Sequence, residues 1–152
     1  MNARALLAGS SLVVGAVLLT ALPALAACTI STTGVSFGTY NMFATSPLDS
    51  TGSVTYPCTG NSSVSVTLNR GGAASFNPRR MLNGSQALNY NLYLDASRAT
   101  IWGDGTGGTQ RYSNTSVPRN QNVTVTIYGR VPASQDVSAG AYSNSITASI
   151  NF

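Results

Sequence analysis

The sequence predicts an all-β chain folded as a β-sandwich, and three observations carry that reading. Apolar and polar residues alternate with period two in run after run, the mark of a strand with one dry face and one wet face. The charged side chains that sustain solvent-facing helices are nearly missing: the chain has eight Lys and Arg, all of them Arg, four Asp and Glu, all of them Asp, and no His. Thr, Val, Ile and Tyr, which fit a pleated surface, are plentiful, and the links between runs are rich in Gly, Pro, Asn and Ser.

The chain opens with an expected export signal over residues 1–26. Arg4 supplies the positive start, residues 5–22 are apolar or small, and Ala24-Leu25-Ala26 gives a small-x-small cleavage pattern. The apolar core is short for a membrane span and no charged stop-transfer follows, so no span is expected. Cleavage after Ala26 would leave residues 27–152, enough for one domain with its own core. Leu25-Ala26-Ala27-Cys28 also fits the pattern after which a bacterial cysteine is lipidated. The competing reading is a disulfide, since Cys28 and Cys58 are the two cysteines and an exported chain with an even count favours pairing them.

The strand runs follow in order. Residues 29–37 form a first strand that ends at Gly38. Val54, Tyr56 and Cys58 share one face of residues 52–58. Val64, Val66 and Leu68 alternate in the next run, which stops at Asn69-Arg-Gly-Gly72. Leu88, Tyr90, Leu92 and Leu94 alternate with Asn89, Asn91, Tyr93 and Asp95. Residues 100–102 form a short strand, and Val123, Val125 and Ile127 alternate before Gly129. In the last twelve residues Tyr142, Ile146, Ala148, Ile150 and Phe152 point one way, with Asn144 the polar exception on that face. Ser143, Ser145, Thr147, Ser149 and Asn151 point the other way.

No catalytic constellation emerges, and the chain is not expected to be an enzyme or to need a cofactor or metal. Without His or Glu the usual general bases and most metal ligands are absent, and Asp49, Asp95, Asp104 and Asp136 are scattered. Gly103-Asp-Gly-Thr-Gly-Gly108 lacks the Lys-Ser/Thr of a phosphate loop and the repeated acids of a calcium loop, and reads as a turn. Arg79-Arg80, the one basic pair, reads as a solvated hairpin rather than a nucleic-acid surface. Trp102 and the seven Tyr read as core and cross-strand pairs, with a sugar-binding platform as the alternative.

Several segments together resemble the spore coat protein U domain, which is shared with subunits of archaic chaperone–usher pili. They are Cys28 followed by Val35-Ser-Phe-Gly-Thr-Tyr40, Ser53-Val-Thr-Tyr-Pro-Cys58, and Leu88-Asn-Tyr-Asn-Leu-Tyr-Leu-Asp95 with Arg98 and Ile101-Trp-Gly103. Val123-Thr-Val-Thr-Ile-Tyr-Gly-Arg130 with Pro132 and the stretch from Gly140 to Phe152 complete the set. The resemblance covers residues 27–152. It implies an immunoglobulin-like sandwich lacking one strand, a Cys28–Cys58 bridge, and a C-terminal strand bordering a groove that a strand from another chain completes. It implies as partners a periplasmic chaperone, an outer-membrane usher and other coat or pilus subunits, with no nucleic acid. Val123, Val125 and Ile127 are the expected wall opposite Ile146, Ala148, Ile150 and Phe152. With Ala27 alone ahead of Cys28, the processed chain is not expected to donate a strand in the manner of pilus relatives. The expected function is a secreted structural subunit that passes through the periplasm to the cell or spore surface. The alternative is a carbohydrate-binding module or tip adhesin using Trp102 and the tyrosines.

Overall fold

The computed structural model describes residues 27–152, and the expected export signal, residues 1–26, lies outside the described residues. The described chain contains the strands β1 (Ser31–Thr33), β2 (Leu48–Pro57), β3 (Ser62–Leu68), β4 (Arg79–Asn83), β5 (Gln86–Tyr93), β6 (Tyr112–Val117), β7 (Asn122–Val131) and β8 (Ala148–Asn151), with no helix among the described residues. Two antiparallel sheets pack face to face as an immunoglobulin-like sandwich. One has the order β1-β2-β7-β5-β4 and the other β6-β3-β8.

The alternating runs become the two inner faces. Val54 and Tyr56 on β2, Val66 and Leu68 on β3, and Leu88, Tyr90 and Leu92 on β5 all turn inward and are buried, as are Ile127 and Val131 on β7. Cys28 and Cys58 form a disulfide across a sequence separation of 30, with Cα atoms 4.1 Å apart. The bond ties the start of the described chain to the end of β2 and contributes roughly 3–4 kcal/mol in the chain-entropy view. Trp102 is fully buried, and its indole N–H donates to the Val66 carbonyl at 2.9 Å while its main-chain N–H donates to Leu92 at 2.9 Å. One residue thereby joins the two sheets.

The structure departs from the sequence reading in four places. Arg79 is not solvated: its side chain is fully buried on β4. Nε and an Nη donate to the Asn69 carbonyl at 3.1 and 3.0 Å. The two Nη atoms also reach Asn91 Oδ1 at 2.8 Å and the Trp102 carbonyl at 2.7 Å. The Phe76 ring lies 5.2 Å from its guanidinium carbon. Burial pushes this guanidinium down to about 10, and neutral oxygens rather than a carboxylate hold it. β4 and β6 are strands that alternation did not reveal. Residues 100–102 contribute isolated bridges, Ile101 to Tyr93 and Trp102 to Gln110, rather than a strand. Finally, of the first and last expected runs, Ser31–Thr33 and Ala148–Asn151 alone enter a ladder.

Candidate binding cleft

Those two shortened runs border the same feature, an open cleft of about 1160 Å³ between the sheets. Its floor is apolar, made of Leu68, Leu88, Leu92, Ile127 and Val131 with the ring of Tyr90. One lip is residues 32–42. The other is residues 137–144, continued by Ile146 and Ala148. None of the lining residues is charged.

The first lip keeps the strand-like alternation without strand pairing. Val35 and Phe37 turn toward the core and are half-buried, while Gly34, Ser36 and Gly38 are exposed. Residues 34–40 belong to no ladder. The Ser36 carbonyl accepts from the Ser50 hydroxyl at 2.6 Å. Farther along, the Tyr40 hydroxyl donates to the Pro132 carbonyl at 3.1 Å and accepts from the Gln135 N–H at 2.8 Å. This lip lies close on the sheet because β7 offers a glycine beneath it. A Cβ on Gly129 would fall 2.7 Å from Val35 Cγ1 and 2.8 Å from Phe37 Cζ.

The second lip is similar. Residues 142 to 150 alternate between half-buried and exposed without a break, Asn144 included among the half-buried. Before β8 begins, this lip is pinned at two points. Ser143 and Leu82 exchange main-chain hydrogen bonds of 2.8 and 3.1 Å. Thr147 accepts from the Asn69 main chain at 3.0 Å and donates to Asn69 Oδ1 at 2.9 Å. Between these points Asn144 reaches the cleft floor, its Nδ2 donating to the Tyr90 hydroxyl at 2.9 Å.

The residues expected to line a partner-strand groove fall in different places. Ile127, Ile146 and Ala148 line the cleft. Val123 and Val125 lie farther along β7, in register with Tyr56 and Val54 of β2, and are not among the lining residues. Ile150 packs against the core from β8, and Phe152, more than half exposed, sits beside Ser63, Val64 and Ser113. The wall facing Ile146 and Ala148 is residues 32–42, with Ile127 in the floor. The signal for that wall was present in the sequence as the alternation of Val35 and Phe37.

The cleft holds no acid, base or nucleophile arrangement, and among the described residues no three His, Cys, Asp or Glu side chains could hold a metal ion. Its volume slightly exceeds the range of roughly 300–1,000 Å³ usual for small-molecule sites. Two lips whose stretches 34–40 and 144–147 stand outside the ladders, over an apolar floor, suit an extended polypeptide segment. Trp102, on which a sugar platform would rest, is sealed in the core.

The chain is 33% identical over 131 residues to Protein U of Myxococcus xanthus, an alignment covering 78% of this chain and 71% of that protein. Its fold is similar to a solved structure, the CsuC–CsuE chaperone–tip adhesion subunit pre-assembly complex from archaic chaperone-usher Csu pili of Acinetobacter baumannii. The TM-score there is 0.61 at 24% identity over 84% of this chain, and the match spans 40% of the other chain. That likeness is one of fold. Residues 14–149 match the Spore Coat Protein U domain, and the chain belongs to that family.

Proposed function

We propose that this protein is a secreted structural subunit that assembles at the cell or spore surface by taking a strand from another chain into the cleft. The observation that carries the reading is the pairing of two lips. Residues 34–40 and 141–147 have strand-like alternation, stand outside the ladders apart from the Ser143 bridge, and face each other across an apolar floor. A strand laid between them would bond to the main chain of both lips and bury alternate side chains against Leu88, Leu92 and Ile127. Val35, Phe37, Ile146 and Ala148 would then pass from half-buried to buried. The similarity to a subunit solved with its chaperone supports a periplasmic chaperone as the first occupant, and an usher and further subunits as later partners. Residues 1–26 would act as the export signal and be removed.

The test is expression of residues 27–152 in a periplasm, alone and with the cognate chaperone. The expected result is poor recovery alone and a one-to-one complex with the chaperone, because an open apolar cleft flanked by unpaired strands invites aggregation. A lone chain that is a soluble, cooperatively folding monomer and does not capture the chaperone would overturn the proposal.

A further inference from the structure

Asn144 breaks the apolar alternation of the second lip, and its surroundings give that break a meaning. Its side chain stays on the inward face, where Oδ1 accepts from the Gly72 N–H at 3.4 Å while Nδ2 donates to Tyr90. The loop behind it is shaped to leave room. Gly71 has φ +61, and a Cβ there would fall 2.4 Å from Asn144 Oδ1. Tyr90 is 4% exposed in the cleft floor, and the Phe37 ring meets it edge-on with centroids 5.9 Å apart. Phe37, Tyr90 and Asn144 therefore cross the cleft from one lip to the other at a single level.

The Tyr90 hydroxyl at that level is half-used. It accepts from Asn144, and among the described residues no acceptor takes its own proton. Burial raises the pKa of the phenol, so the proton is present at neutral pH. A side chain inserted above it removes water from this O–H. An apolar side chain leaves a buried donor unpaired, which is costly, whereas an oxygen-bearing side chain completes the bond.

We propose that Tyr90 and Asn144 form a hydrogen-bonding notch in the otherwise apolar cleft, and that the strand received there carries a hydroxyl or amide side chain at the register facing it. The inference rests on the strand-complementation reading above and adds a selectivity to it. The occupant is an extended segment with alternating apolar side chains, interrupted once by an oxygen-bearing one. At every other inward position the floor is aliphatic and favours an apolar residue.

The experiment uses the disulfide-bonded chain and synthetic twelve-residue peptides of alternating Val and Ser, in which each Val in turn is replaced by Thr. Thr has the shape of Val plus one hydroxyl, so each exchange asks whether that position is wet or dry. At one position Thr is expected to tighten binding by about threefold to tenfold, the value of one hydrogen bond, and at the others to weaken it. Tyr90→Phe should erase the gain while holding the all-Val peptide at least as tightly as before. Asn144→Val takes away the group that orients this hydroxyl and should reduce the gain, and serves if the first variant does not fold. Weakening at every position, or a gain that both substitutions leave intact, would overturn the notch and leave complementation standing. Failure of every peptide to bind would overturn complementation, and the notch with it.

Discussion

The two halves of this sandwich carry the same alternating pattern and end in different states. In the closed half, Val54 and Tyr56 on β2 and Val66 on β3 are fully buried, and Val64 is exposed by 3%. In the open half, Val35, Phe37, Tyr142 and Ile146 alternate just as regularly yet are half-buried. The difference is in pairing. β2 lies between β1 and β7, and β3 lies between β6 and β8, so their inner residues are covered from both sides. Residues 34–40 and 141–146 have the cleft where a neighbour would lie. Alternation decides which side chains face inward; a partner on each edge decides whether they become buried.

The largest expected effect falls on the closed half. Arg79→Met removes the donors that satisfy the Asn69 and Trp102 carbonyls and Asn91 Oδ1. It is expected to cost about 3–5 kcal/mol in urea unfolding, the range for breaking a buried charged network. A loss below about 1 kcal/mol would mean that aliphatic packing replaces the network. Cys58→Ser should cost roughly 3–4 kcal/mol, from the freed 30-residue separation, measured on the same unfolding curve. Both variants strike the half that is complete within this chain, so both should weaken the chaperone-bound and free forms alike.

The boundary between the halves is Gly129. Gly129→Ala places a methyl against Val35 and Phe37 and should push the first lip outward. About 1–3 kcal/mol is expected in stability, with a larger proportional loss in strand-peptide binding. The smallest effect is at the surface. Arg130 hydrogen-bonds Asp49 through both carboxylate oxygens at 2.7 and 2.8 Å, with Arg98 at 3.2 Å, and this holds the Asp49 carboxyl below its ordinary 3.8. Because the folded-state pKa is depressed, the contribution is present above about pH 4 and is lost as pH falls through the folded value. Asp49→Asn should lower stability by less than about 1 kcal/mol at pH 7, since the pair is one-third exposed and screened, with the difference vanishing in acid.

The closed half was legible because its signals are local. Val54, Tyr56, Val64 and Val66 announced their inner face by period two alone. β4 was not legible because its one fully buried residue is Arg79, whose charge argues for solvent unless the carbonyls that receive it are known. Its turn at Asn83-Gly84, where Gly84 has φ 58, is a hairpin signal that lacks alternating apolar runs on both sides. β6 was hidden because Tyr112-Ser-Asn-Thr-Ser-Val117 has few apolar residues to alternate. The composition of the cleft was partly legible, through Ile127, Ile146 and Ala148. Its first lip was not, because which run faces which is a matter of topology, and residues 32–42 and 137–148 are about a hundred positions apart in the chain.

Amide hydrogen exchange on the free chain, and on the chain with its chaperone or a strand peptide, tests the central claim most directly. In the free chain, the inner strands β2, β3 and β7 should exchange slowly, while residues 35–39 and 145–146 exchange quickly. Occupancy of the cleft should slow both lips together and leave β2 and β3 unchanged. Lips that are already protected in the free chain, or that stay fast when the partner is bound, would contradict the account.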